Sequence, residues 1–164
     1  MLDLEWQLGA RELTSELERL ARLGEFFAVI STDLTRPGVR HCYVQVIFDD
    51  KGDAHAEAVS NFYLRDHPLS PSEEATLLSL GGSPPGTSGG GDKPGRAGQL
   101  DEHEQAPHPP NFHRAFTLQQ GQRVIADTLL ATLNWVYGVQ HPSDFTVSIE
   151  PTKRRLDREM EVDT

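Results

Sequence analysis

Apolar residues in the first part of the chain fall at Leu2, Trp6, Leu13, Leu17, Leu20 and Leu23, steps that place them on one face of a helix. Arg11, Glu12, Glu16, Glu18 and Arg22 fall mainly on the other side, and Gly24 is a natural stop. Gly9 leaves two starting points open, near Asp3 or just after the glycine. The period then changes from that of a helix to that of a strand. Phe26 to Thr32 is short, apolar and β-branched at its end. Val39 to Asp49 alternates, with Cys42, Val44, Val46 and Phe48 on one face and His41, Tyr43, Gln45 and Ile47 on the other. His55 to Leu64 reads as a third strand. Arg36-Pro37-Gly38 separates the first two strands, and Asp49-Asp50-Lys51-Gly52-Asp53 supplies a glycine-containing hairpin turn between the last two.

Ser70-Pro71-Ser72-Glu73 predicts a helix start, because Ser70 can cap, Pro71 takes the first helical position and Glu73 completes a capping box. Gly81 and Gly82 close that short helix. From Gly81 to Pro110 the pattern disappears, and 8 Gly and 6 Pro stand among 30 residues with hardly an apolar side chain. Such a segment buries too little surface to offset its ordering entropy, so a flexible insert is expected. Structure resumes at Asn111-Phe112-His113-Arg114-Ala115-Phe116. A long helix follows from about Leu118 to Tyr137, with Leu118, Ile125, Leu129, Leu133 and Val136 inward and Gly138 as its end. Phe145 to Ile149 suggests a last short strand, stopped by Pro151, and Lys153 to Thr164 reads as a frayed charged tail.

These elements make one α+β domain interrupted once. Residues 1–80 carry the first helix, a three-stranded meander and the short helix. Residues 81–110 form the insert, 111–150 complete the same domain, and 151–164 are the tail. An antiparallel sheet of three to four strands needs one face covered, and the N-terminal and long C-terminal helices supply that cover. Exposed sheet edges, with Trp135 and Tyr137 near the end of the long helix, lead to the expectation of a homodimer.

Charge narrows the partners. The chain has 25 acidic and 15 basic residues and a formal net charge of -10, which phosphate backbones and anionic lipid surfaces would repel. Neither nucleic acid nor a membrane is expected as a partner. No stretch approaches the roughly 20 apolar residues that span a bilayer. The first residues lack the basic start and apolar run of a signal peptide, so the cytoplasm is the expected location.

Candidate chemistry is sparse. Gly86-Thr87-Ser88-Gly89-Gly90-Gly91-Asp92-Lys93 fails as a phosphate loop, because Asp92 intrudes before the lysine and Pro94 follows it. Cys42, the sole cysteine, shares its phase with Val44, Val46 and Phe48 and reads as a buried structural thiol. His103, His108 and His113 are five apart in a proline-rich segment, a poor spacing for metal ligands. His141 follows a helix C-terminus, where a favourable dipole contact accounts for it. No cofactor, metal or catalytic residue is expected, and the chain reads as a binding protein.

Specific strings add a resemblance. Ala58-Val59-Ser60-Asn61 and Leu64 are followed by Leu69-Ser70-Pro71-Ser72-Glu73-Glu74-Ala75, Leu77, Leu80-Gly81 and Pro84-Pro85. After the insert come Asn111-Phe112, the long helix, Val136-Tyr137-Gly138-Val139 and His141-Pro142. This order resembles a family of actinobacterial domains related to type III secretion chaperones and YbjN proteins, described as peptide-binding chaperones. The resemblance spans about Trp6 to Phe145 with the insert skipped. Where that family usually has a Trp after the Leu-Gly pair, Gly82 and Ser83 stand here. The resemblance implies a type III secretion chaperone-like fold that holds an extended segment of a client protein. Tyr43, Gln45 and Ile47 of the second strand, with Val59, Asn61 and Tyr63 of the third, are the candidate peptide-binding residues, apolar anchors among polar neighbours. The alternative is an acidic interaction or regulatory module that docks one fixed folded partner.

Overall fold

A computed structural model describes residues 3–32, 40–64, 67–86 and 111–162. Helix α1 runs Leu4–Leu23, capped by Asp3, whose side chain accepts from the Trp6 amide. The helix passes straight through Gly9, where the methyl of an alanine would meet Pro142 at 3.6 Å. Strand β1 is Phe26–Thr32, β2 is Tyr43–Phe48 and β3 is Ala54–Ala58. Helix α2, Pro71–Ser79, begins with the expected capping box of Ser70 and Glu73. Strand β4 is Phe112–Phe116, helix α3 is Gly121–Ala131, β5 is Phe145–Pro151 and α4 is Lys153–Val162. The sheet has five strands in the order β4-β3-β2-β1-β5, each pair antiparallel.

The fold is α+β, with more strands than the three to four expected. The extra strand is β4, whose short Phe-His-Arg-Ala-Phe pattern pairs with β3 from Ala54↔Phe116 to Ala58↔Phe112. Strand β5 crosses to the far side of β1, pairing from Phe26↔Pro151 to Thr32↔Phe145. The long C-terminal helix is composite. A single turn, Leu118–Gln120, leads into α3, and a wider π-type turn, Thr132–Val136, follows it. Gly138, at φ 73, ends the run; this left-handed backbone suits a residue without Cβ.

Helices α1 and α3 pack on one side of the sheet, and α2 packs against the turn Thr132–Val136 that follows α3. Ala28, Ile30, Val44, Val46, Phe48, Ala54, Ala56, Ala58, Phe112 and Phe116 point to that side and are buried. Against them lie Trp6, Leu13, Leu17 and Leu20 of α1 and Ile125, Leu129 and Leu130 of α3. Trp6 sits 6.0 Å from the Phe145 ring, between α1 and β5. The tail reading needs correction, because Lys153–Val162 is a helix. Arg155 lies 4.6 Å over the Phe26 ring, and Arg158 pairs with Glu25. Glu25 has a positive φ of 61 and its carbonyl accepts from the Thr152 amide, so the junction of α1 and β1 anchors the start of α4.

The third strand also ends earlier than expected, at Ala58. The Ser60 carbonyl accepts from the amides of Tyr63 and Leu64, so the chain turns where continued alternation would have carried it to Leu64. Val59 turns into the core, and its carbonyl accepts from the buried Tyr137 hydroxyl at 2.6 Å. Tyr137 is therefore interior, whereas Trp135 remains 46% exposed. The insert from Thr87 to Pro110, the string Gly89 to Lys93, His103, His108 and the turn Arg36-Pro37-Gly38 lie outside the described residues. Of the insert's start, Ser83 forms a two-way backbone bridge with His113 at the outer edge of β4.

Replacing Tyr137 with Phe leaves the Val59 carbonyl buried without its donor. Urea unfolding should show a loss of about 1–3 kcal/mol. A change near zero would mean that the hydroxyl is not needed to close this turn.

Candidate functional site

The sheet face away from the helices is built from the opposite alternation. Register brings Phe27, Ile47 and His55 side by side across three strands, and Val29, Gln45 and Glu57 in the next row. Tyr43 stands beside Ser31 in the third row. Ile47 is 37% exposed, Tyr43 and Gln45 are half-buried, and no described helix packs over them. The face thus presents apolar side chains at Phe27, Val29 and Ile47 among polar ones at Gln45, His55 and Glu57. A cavity of about 220 Å³ opens between Phe27, Gln45, Ile47, His55 and Glu57.

Glu57 organises the polar part. Its Oε2 accepts from Gln45 Nε2 at 2.6 Å and from Asn111 Nδ2 at 3.5 Å. Its Oε1 lies 3.7 Å from Nε2 of His55. The His55 contact leads in holding the Glu57 carboxyl below the usual carboxylate range; Gln45 and Asn111 assist against the opposing effect of burial. Asn111 also donates to the Tyr43 hydroxyl at 3.1 Å, and its side-chain carbonyl accepts from the Ser60 amide at 3.2 Å. Burial raises the Tyr43 phenol above its ordinary range, with the Asn111 bond acting the other way. Next to this network lies His113, which is buried and, among the described residues, has no hydrogen-bond partner at either ring nitrogen. Its ring stacks on His55 at 5.9 Å.

Of the six residues singled out in the sequence, the structure brings three together. Tyr43, Gln45 and Ile47 line up on β2. Val59, Asn61 and Tyr63 do not join them, because the strand has ended. Val59 is 2% exposed and belongs to the core. Asn61 closes the turn before α2, accepting from the Leu69 amide at 2.6 Å and donating to the Leu69 carbonyl and Glu74. Tyr63 is exposed in the turn, edge-on to Phe62 at 4.8 Å. The face instead acquires Phe27, Val29, His55 and Glu57. Each stands in a segment that reads as a strand, but which phase faces outward becomes visible only through pairing with β2.

The family comparison agrees with this architecture. The model of the family described as T3SS (YopN, CesT) and YbjN peptide-binding chaperone 3, TY-Chap3, matches residues 2–150. The chain belongs to the TY-Chap3 family. No curated protein matches it, and no solved structure does. The TY-Chap3 match covers β1 to β5 and the helices between them, so the outer sheet face lies within the family domain. No helix among the described residues of this TY-Chap3 domain is long and apolar enough to cross a membrane. No group of three or more His, Cys, Asp or Glu among them is placed to hold a metal ion. His141 meets Glu5 of α1 at 3.2 Å, a surface pair between two helix ends.

Cys42 lies on the covered face, and burial pushes its thiol from 9.0 to about 11. At pH 8 the folded protein should react with a disulfide reagent about a hundredfold or more slower than the urea-unfolded chain. Comparable rates would place Cys42 in reach of solvent. Because the folded thiol titrates higher than the unfolded one, its contribution to stability is complete below pH 9 and declines as pH rises toward 11. His113→Phe removes two unpartnered buried nitrogens and should raise stability in urea by about 1 kcal/mol. A loss of stability would show that the imidazole is satisfied in solution.

Proposed function

We propose that this TY-Chap3 domain is a non-enzymatic peptide-binding chaperone that holds an extended segment of a client protein on the outer face of its sheet. The observation that carries the reading is the row of Phe27, Ile47 and His55 beside that of Val29, Gln45 and Glu57, apolar and polar groups interleaved on a face free of described helices. A pleated client strand turns every second side chain toward the face, and successive members of that set can meet the apolar groups Phe27 and Ile47 or the polar groups Gln45 and Glu57. The family's peptide-binding description supports the same reading.

Main-chain pairing can add to side-chain contact. Strand β5 ends the sheet and, among the described residues, pairs only with β1. Its seven residues from Phe145 to Pro151 offer unpaired donors and acceptors along the other edge. The proposal includes a homodimer formed along this edge, with β5 of two copies antiparallel across a two-fold axis. Light scattering during gel filtration should give twice the 18.2 kDa chain mass. A monomer at high protein concentration would remove the dimer and leave the edge to clients.

Client affinity should be on the order of micromolar, because the segment loses chain entropy as it orders. An array of overlapping peptides from the source proteome should yield binders. Ile47→Ala should weaken the best of them about tenfold, corresponding to about 1.4 kcal/mol. Leu78→Ala, an equally exposed leucine on α2, should leave them unchanged. Equal effects of the two substitutions would move the site off this face. An array without binders, together with capture of one folded protein, would favour the fixed-partner alternative.

A further inference from the structure

The cavity on the outer face has a chemical character of its own. Phe27 and Ile47 form apolar walls, Gln45 and His55 stand at its side, and Glu57 supplies its carboxylate. Glu57 is held from three directions: Gln45 at 2.6 Å, Asn111 at 3.5 Å and His55 at 3.7 Å. The carboxylate is thereby fixed in position before any ligand arrives. Its two closer donors meet Oε2, while Oε1 has, among the described residues, the longer His55 contact. The Glu57 side chain retains 22% of its exposure and that of His55 48%, so both are reachable from solvent.

We propose that this cavity is a specificity pocket for a basic side chain, lysine or arginine, of the client segment, with its methylene stem against Phe27 and Ile47 and its charged head at Glu57. The proposal rests on the peptide-holding reading and deepens it by assigning the chemistry of one client position. Long cationic side chains combine an apolar stem with a charged tip, which is the sequence of surfaces this cavity offers from wall to carboxylate. A half-buried carboxylate already held by neutral donors can accept a further charge-assisted hydrogen bond without reorganising. The charge of the whole molecule acts in the same direction: a formal net charge of -10 attracts cationic segments and repels acidic ones. An acidic client residue would set two carboxylates against each other in the cavity. An apolar residue would cover Glu57 and leave its open oxygen desolvated without compensation.

A phage-displayed library of random peptides about nine residues long, roughly 30 Å when extended, tests the pocket. It is selected in parallel on the wild-type chain, on Glu57→Gln and on Phe27→Ala, each checked by circular dichroism and urea unfolding for an intact fold. Wild-type selections should be enriched in Lys or Arg at one position, flanked by apolar residues in alternation. The enrichment should fall as salt shortens the Debye length from about 10 Å to about 3 Å. Glu57→Gln should abolish the basic preference while keeping the apolar alternation. Phe27→Ala should lower total recovery while keeping the basic preference, because the carboxylate remains. Peptides that bind wild type with no basic preference, or a preference unchanged in Glu57→Gln, would overturn the pocket and leave peptide holding intact. A library with no binders to any of the three proteins would overturn peptide holding itself, and the pocket with it.

Discussion

The architecture depends on a sheet with one apolar face that must be kept from water. Ten inward side chains from four strands, from Ala28 to Phe116, are buried on that face. Burial of apolar area at about 25 cal/mol per Å² is the largest favourable term available to a chain of this size. Once α1 and the long composite helix are spent on that face, none of the described helices covers the other. The exposed row on β2 is thus a consequence of how the core is closed. The client face proposed above would need no catalytic group, only a rigid surface on which apolar and polar groups alternate.

A set of buried polar contacts decides where the sheet stops. Asn111 accepts from the Ser60 amide and donates to Tyr43 and Glu57; Tyr137 donates to Val59; Asn61 holds both backbone groups of Leu69. Each satisfies a backbone or side-chain group that would otherwise be lost when the chain leaves the ladder. Together they tie β3, the turn to α2, the start of β4 and the end of the long helix to one corner of the domain. The same Asn111 reaches Tyr43 and Glu57 on the outer face, so the corner that ends β3 also stiffens the proposed client surface. Arg114 completes the tie from the covered side, donating to the Leu80 carbonyl at the end of α2 and lying 4.4 Å over the Phe116 ring.

Fixed polar groups suit a protein that binds unfolded segments. The client bears the ordering cost, so the holder gains by bearing none of its own. Glu57, locked by Gln45, Asn111 and His55, is such a group. The surplus of acidic residues adds a long-range attraction that salt can weaken, whereas the apolar walls at Phe27 and Ile47 are indifferent to salt. On the proposed reading, the two contributions would give the face a general affinity for extended chains and a bias among them.

Local pattern carried much of the fold by itself. The apolar stripe from Trp6 to Leu20, the capping box at Ser70 and Glu73, and the alternation from Cys42 to Phe48 are each readable because a helix repeats near 3.6 residues and a strand repeats every two. That alternation also put Tyr43, Gln45 and Ile47 on one face and Cys42 on the other, where the structure has them. The family strings around Asn61, Ser70 and Tyr137 were equally legible, since they are the residues that cap and close turns. What tertiary structure decided was pairing. Strand β4 is too short and too polar to announce itself, and it exists because β3 offers an edge. The alternation of the third strand, continued on paper through Val59, Asn61 and Tyr63, is cut off at Ala58 by Asn111, which lies 51 residues beyond its partner Ser60, and by Tyr137, which lies 78 beyond its partner Val59. The charged tail is helical because Glu25 and Phe26 receive Arg158 and Arg155. Phe27, His55 and Glu57 became neighbours of Ile47 and Gln45 only through register, a long-range choice that no local period encodes.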